Sequence, residues 1–470
     1  MLKILNRSLL LAPLLLGTFS LYAQPINFEQ AWSIVKAKNN SIAAQRANVD
    51  HYQKLEQASQ SLNYPAVTLG ANYTRLDDDV TLSNEDLFDS LDSSTQSLLN
   101  SLLTNASTSF GVNYSGLLTG TSTMAEKDVL NSSINAIWAI YTGGKITAAH
   151  NYAAAKSEEA DAKLAMETQS RYEDLSRFYY TVVLAQSVLD TRRAVEQGLT
   201  KHRDFSVKLE QQGQIPKVER LQADASLAKA VVERKKAEMD LEIARSALTE
   251  ILNQKVEVIP ESDLFINSSL PPLSAFTEQT LVSYPGLGVL TAKQNQAKSA
   301  IKAEQSKYLP QVFLYGNYTL YEDDTLTSEI TPDWFVGVGV SIALFDNSGR
   351  SEKVQAAQSS VLQVRYLYQQ AIQDLTVLVK KTYFEAQQAI EEAQGLEASL
   401  ALADENLKLR AKAFNQGLST SVDVVDAEMF LANIKIQQQV AKFNYVIALN
   451  KLLSLSSQTS TFTQYETTAI

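Results

Sequence analysis

The chain carries one pattern twice. Asn63-Tyr-Pro-Ala-Val-Thr-Leu-Gly-Ala-Asn-Tyr-Thr74 returns as Tyr308-Leu-Pro-Gln-Val-Phe-Leu-Tyr-Gly-Asn-Tyr-Thr319, with Pro, Asn, Tyr and Thr in matching places. Further on, Phe345, Gly417 and Ala427 follow Tyr141, Gly213 and Ala223 by the same 204 positions. Such an offset marks a duplication. Each half reads as strand, loop, strand, then a long helical stretch turned back at a glycine, and any fold must seat that order twice.

The ends and the composition narrow the setting. Residues 1–23 read as a secretory signal, with Lys3 and Arg7 before a short apolar core and a cut expected after Ala23. Gly17, Thr18 and Ser20 keep that core below the length of a membrane anchor. No later run is apolar enough for a transmembrane helix. The chain has no Cys, which excludes disulfides, thiolate metal sites and a lipidated N-terminal Cys. A net charge of −11 argues against nucleic acid as a partner. The expected organisation is a first repeat over 24–258, a linker over 259–274, a second repeat over 275–455 and a tail over 456–470.

Within each repeat a strand pair is expected, at 65–76 with 132–141 and at 310–321 with 334–345. Val67, Leu69, Ala71 and Tyr73 alternate with Thr68, Gly70, Asn72 and Thr74. Val338, Val340, Ile342 and Leu344 alternate with Gly339, Ser341, Ala343 and Phe345. Two unlike faces over about ten residues suit a tilted strand crossing a membrane. Aromatic residues such as Tyr64, Tyr141, Tyr308 and Trp334 stand at the strand ends, where a membrane interface would place them. A soluble β-sandwich is the alternative. Four strands cannot close a barrel, and an open edge in lipid costs several kcal/mol per unpaired group. Membrane strands therefore require further copies. The first inter-strand loop, about 77–131, is rich in Ser, Thr, Asn and Asp and reads as an exposed extracellular loop or a disordered insertion.

The rest is helical. Gly143–Gln212 and Ser348–Gln416 are dominated by good helix formers and contain no Pro. Shorter helices follow the bends, from Val218 to about Leu252 and from Val422 to about Leu455. Others precede the strands, over 28–62 and 276–308. Val218, Leu221, Ala225, Ala228 and Val232 recur at heptad spacing, as do Val422, Val425, Met429, Ala432 and Ile436. Those stripes are expected to pack as near-parallel coiled-coil pairs. A fibrous coiled coil would explain the helices and leave the strands unused.

Enzyme signatures are missing. Gly143-Gly-Lys-Ile lacks the remainder of a phosphate-binding loop, and no nucleophile elbow or zinc helix is present. His51, His150 and His202 are scattered and read as surface helix residues. Nothing implies catalysis, a metal or a cofactor.

The repeat order, together with Phe414-Asn-Gln-Gly-Leu-Ser-Thr-Ser-Val-Asp-Val-Val-Asp-Ala-Glu428, resembles the TolC family of outer-membrane efflux proteins over essentially the whole mature chain. The segment is similar to the family's periplasmic tip, an aromatic-x-x-Gly turn before Val-Asp-Val-Leu-Asp-Ala. Phe205…Gly213-Gln-Ile-Pro-Lys-Val-Glu-Arg-Leu-Gln-Ala223 is a looser form. The resemblance implies a mixed α and β membrane protein and a homotrimer. Each copy would give four strands to a twelve-stranded outer-membrane β-barrel, continued by a periplasmic α-helical barrel. It further implies a passive exit duct for efflux or type I secretion, with a periplasmic membrane-fusion adaptor and an inner-membrane pump as partners. The docking tips would be Gly213, Gln214, Ile215 and Pro216 with Gly417, Leu418, Ser419 and Thr420. Asp423 and Asp426 match the family's entrance carboxylates, and Glu219 takes the Asp423 position in the first repeat. Three copies would stack those carboxylates into rings, raise their pKa values and favour cations. Residues of the first helical turn also complement the helix dipole, with Thr420 or Ser421 as N-cap. Ser419 stands where the family often carries an Arg that locks the closed state. A structural or adhesive envelope coiled coil without a pore is the competing class.

Overall fold

The computed structural model describes residues 24–110, 120–323, 328 and 331–468. The expected signal segment lies outside them. In chain order the elements are β1 (Gln24–Ile26), α1 (Phe28–Lys38), α2 (Asn40–Ser59), β2 (Ala66–Arg75), β3 (Val80–Ser83), α3 (Asn84–Asp89), α4 (Ser93–Phe110), β4 (Thr121–Ala125) and β5 (Asp128–Tyr141). There follow α5 (Lys145–Gln211), α6 (Lys217–Ile251), β6 (Val258–Pro260), α7 (Leu273–Ser283), α8 (Pro285–Gln305), β7 (Gln311–Glu322), β8 (Trp334–Ser341), α9 (Arg350–Asn415), α10 (Ser421–Leu455) and α11 (Phe462–Thr467). The chain divides into two units. One holds Tyr52–Ser157 and Ala292–Val364, the other the segments up to His51, Glu158–Thr291 and from Arg365 onward. Each unit draws on both repeats.

The first unit is built on an antiparallel sheet in the order β2-β5-β7-β8. Its register sorts the side chains. Leu69 faces Ile134, which faces Tyr318, which faces Trp334. Thr68 faces Asn135, which faces Asn317. One face is thus aliphatic and aromatic; the other carries Asn, Ser and Thr toward one end, with the Asn317 amide donating to Asn135 Oδ1 at 2.8 Å, and Ile137, Phe313, Tyr315 and Phe335 toward the other. Gly337 and Gly339 leave room for the rings of Tyr315 and Phe313 across the strand pair. No second sheet covers either face among the described residues, and Val336, Val338 and Val340 are exposed. That is not a sandwich, whose inner face would be buried.

The strand ends differ from the sequence expectation. β5 starts at Asp128, before the expected 132, because the ladder with β2 runs on to Arg75. β8 stops at Ser341, short of 345, because its partner begins at Gln311 and the preceding Pro310 has no N–H to donate. The expected first loop is not a plain loop. It contains a β3–β4 ladder and the helices α3 and α4, apart from 111–119, which lie outside the described residues. The segment expected as one helix over 28–62 breaks at Asn39, which ends α1 and whose side chain accepts from Ser41 N and Ile42 N of α2. The one expected over 276–308 breaks at Tyr284, because the following Pro285 disfavours a helical residue before it.

The second unit has an apolar core in which Phe28 meets Tyr172, Tyr179, Tyr180 and Phe462 at ring-centroid distances of 5.2–5.5 Å. β1 and β6 pair in parallel and so tie the start of one repeat to the end of its own helices. The Tyr179 hydroxyl donates to Ile26 O (2.7 Å) and accepts from Ser262 N (3.1 Å). The expected linker 259–274 is therefore no free linker: it starts in that ladder and buries Leu264 and Phe265. The expected tail packs as well over 456–468, through buried Phe462.

The helical seam is a second correction. On α6 the buried positions are Ala223, Ala230, Ala237 and Ala244, one per heptad, with Leu241 and Leu248. Val218, Leu221 and Val232, expected to form the seam, are 62%, 48% and 63% exposed. Small side chains let long helices approach closely, so the alanine line packs within the chain and the larger residues face outward.

Candidate functional site

Two helix ends make the site. α5 and α9 both end in the same motif. Gly213 N–H donates to Glu210 O and Gln214 N–H to Leu209 O. Gly417 N–H donates to Phe414 O and Leu418 N–H to Ala413 O. This pairing needs a residue at positive φ, and the two glycines have φ of 70° and 75°. Gln214, Ile215 and Pro216 carry the first turn to α6. Leu418, Ser419 and Thr420 carry the second to α10. Ile215 packs on Leu209, Phe414 and Val424, while Leu418 is 78% exposed.

Thr420 is the N-cap of α10, in a reciprocal box with Asp423. The Asp423 carboxylate accepts from Thr420 N (2.9 Å), Thr420 Oγ1 (2.7 Å) and Ser419 Oγ (3.0 Å), and pairs with Arg410 at 3.4 Å. The Thr420 hydroxyl and N–H, then Ser419, hold its carboxyl down at about 2. The rise expected of a ring carboxylate is not present in the single chain, because these donors stabilise the charged form. Asp426, one turn on, is exposed and has no hydrogen bond or ion pair among the described residues.

Glu219 joins the two turns. Its Oε2 accepts from Ser421 N at 2.7 Å, so the first repeat caps a backbone donor of the second. His202 completes the tie. It is buried, not on the surface as expected, with Nε2 2.7 Å from Ser421 Oγ and its ring 4.6 Å from that of Phe414. Burial pushes the imidazole below its ordinary range, against the attraction of Glu219. Spacing alone does not mark His202, because a lone histidine on a polar helix looks solvated. Glu428 was also missed. Burial raises its carboxyl, and it lies against Gly198, where a Cβ would come within 2.8 Å of Oε1. The isolated mid-helix Gly198 was the available signal.

No group of three or more metal-ligating side chains occurs among the described residues. The site is a double turn, exposed at Leu418 and cross-tied below by Glu219 and His202.

Comparison with known proteins places this architecture. The sequence profile of the outer membrane efflux protein family matches residues 32–254 and 277–457, covering both repeats. Outer membrane protein TolC of Vibrio cholerae is 21% identical over 335 residues, 70% of this chain and 76% of that protein. Alkaline protease secretion protein AprF of Pseudomonas aeruginosa is 19% identical over 301 residues, 62% of each chain. The crystal structure of the open state of the Neisseria gonorrhoeae MtrE outer membrane channel shares the fold, with a TM-score of 0.71 at 16% identity, over 92% of this chain and 89% of that one. With the profile matched on both sides of the duplication, the chain belongs to the outer membrane efflux protein family, the channels that span the outer membrane into the periplasm.

Proposed function

We propose that this protein is the outer-membrane exit duct of a tripartite efflux or type I secretion assembly, and that it works as a homotrimer. The observation that carries this is the uncovered sheet with two open edges, β2 and β8. In lipid those edges must pair. Three copies supply twelve strands, enough for a barrel with an open lumen. The face of Leu69, Ile134 and Val338 then meets lipid, and the face that carries Thr68, Asn135 and Asn317 lines water, as in other transmembrane barrels. The long helices continue the duct as an α-helical barrel.

The double turn of each copy docks on a periplasmic adaptor, which couples it to an inner-membrane pump. Gly213 to Pro216 and Gly417 to Thr420 supply the contact surface. At the entrance, Asp426 supplies the free carboxylate ring, while Asp423 and Glu219 hold the turns that present it. Transport through the duct is passive.

Light scattering in detergent and planar-bilayer recording test the reading together. The expected result is a particle of three chains that gives ohmic single channels. A monodisperse folded monomer, or a trimer that never conducts, would overturn it.

A further inference from the structure

A histidine helps hold the two helical hairpins to each other. α5 and α6 form one hairpin, α9 and α10 the other. His202 of α5 reaches Ser421, the first residue of α10, with Nε2 2.7 Å from Ser421 Oγ. The Ser421 N–H donates to Glu219 of α6 at 2.7 Å. Ser421 thus bonds both helices of the first hairpin, through its hydroxyl and through its backbone. The Phe414 ring of α9 packs on the imidazole at a centroid distance of 4.6 Å. His202 and Ser421 are both buried. Ser206, also buried, donates its hydroxyl to His202 O and so fixes the backbone that carries the ring.

This pocket suits a neutral imidazole. The neutral ring needs one donor and one acceptor contact, and the Ser421 hydroxyl can serve as either. An imidazolium carries two N–H donors, and Nδ1 has no hydrogen-bond partner among the described residues. Burial also strips the water that a charged ring requires.

The surrounding charges do not offset that cost. Glu219 of α6 draws a proton toward the ring, and burial outweighs it. At the same helix ends Asp423 pairs with Arg410, and Glu210 and Asp224 pair with Arg220. Asp423 is held at about 2 and stays ionised through mild acid. Glu428 of α10 faces the same seam, against Gly198, one turn before His202 on α5. Burial raises its carboxyl, so acid neutralises it and relieves the seam, an effect of opposite sign.

A ring released to water regains its ordinary proton affinity, which exceeds that of the buried ring. The released state therefore binds the extra proton, and acid favours it. We propose that His202 controls the entrance by acid: neutral, it ties α5 to the start of α10; protonated, it leaves its pocket and frees the two hairpins of each copy from one another at the turns. The effect on transport rests on the duct reading.

Hydrogen exchange of the detergent-solubilised chain reads the tie itself, once rates are corrected for the intrinsic effect of pH. Between pH 7.5 and 5.5, protection of the Ser421 to Val424 amides should fall by up to about tenfold, the limit one proton sets over the pH unit below the free imidazole value. His202→Gln, whose amide bonds Ser421 at any pH, should hold protection constant. Ser421→Ala, which loses the hydroxyl and keeps the N–H, should lower protection at pH 7.5 and flatten its pH dependence. Glu428→Gln should retain the fall. Unchanged protection in the unmodified chain, or a fall that survives in His202→Gln, would overturn the proposal. In planar bilayers, acid on the side of the turns should raise the open probability of unmodified channels and leave that of His202→Gln unchanged. Release seen by exchange without a change in open probability would overturn control of the entrance. Release in chains that never form trimers or conduct would overturn the duct reading and leave the acid-sensitive tie standing.

Discussion

Gly417 separates the conformational role of a tip glycine from its role as a contact surface. A Cβ built there meets nothing within 4 Å, so substitution brings no clash. What remains is the backbone cost of φ = 75° for a residue with a side chain, about 1–2 kcal/mol. Asn tolerates that region and should cost less. The cost falls on one helix end that is also held by Thr420 and Asp423 on the far side of the turn. It should therefore leave assembly intact. Gly417→Asn should keep both trimer and export. Gly417→Trp should keep the trimer, yet fill the space an adaptor needs and abolish export. The assay pairs trimer yield by light scattering with energy-dependent efflux of a fluorescent substrate in cells. Normal efflux by Gly417→Trp would refute docking at this turn. A parallel loss of trimer in both variants would show that the glycine serves only the helix end.

Gly143 and Gly144 form a contrasting pair at the junction of β5 and α5. Both have positive φ, but a Cβ at Gly143 would lie 2.8 Å from Ser306 O and 2.7 Å from Leu309 Cβ, whereas Gly144 has open space. Gly143→Ala should cost the left-handed strain plus overpacking, about 2–5 kcal/mol, and Gly144→Ala only about 1–2; trimer melting temperatures should rank them in that order. Thr420→Ala removes an N-cap and should cost about 1 kcal/mol in the tip, seen as faster local hydrogen exchange at the start of α10. For His202 the folded pKa lies below the ordinary 6.5, so the unfolded chain binds the extra proton. Stability is then full above that value and falls as pH drops through it, and His202→Gln should flatten the melting temperature between pH 8 and 5.5. Asp426→Ala should reduce cation selectivity, read as a reversal-potential shift in a salt gradient. An unchanged potential would remove Asp426 from the entrance.

The elements were legible because their signals are periodic. Alternation at Val67–Thr74 and Val338–Ser341 marks strands, and the glycine turns mark the bends. The helical seam misled because large apolar residues were read as core. Val218 and Val232 face outward, and Ala223 and Ala230 are inside, since two long helices gain more by approaching closely than by burying bulk. The segment 259–274 looked like a linker because of its prolines, and nothing local announces that Leu264 and Phe265 pack into a distant core. At the tip, Asp423 was visible as a motif residue. Its capture by Ser419 and Thr420 is a matter of turn geometry, and the tie from Glu219 to Ser421 crosses 202 positions. No spacing rule within one helix reports such a bond.

The outward residues on α6 obey the same logic as the open sheet edges. Val218, Leu221, Ala225, Ala228, Val232 and Met239 keep heptad spacing on a face that this chain does not cover. α6 therefore carries two seams, a narrow alanine line for its own chain and a bulkier line left free. A heptad line in water is a coiled-coil half without its mate. The sheet leaves β2 and β8 unpaired in the same way. In the proposed trimer neighbouring copies supply a partner for each: a strand for the open sheet edges and a helix for the free line on α6. Polar replacement of Val218 and Val232 should then weaken the trimer while leaving the fold of each chain unchanged, since neither residue belongs to its own chain's core.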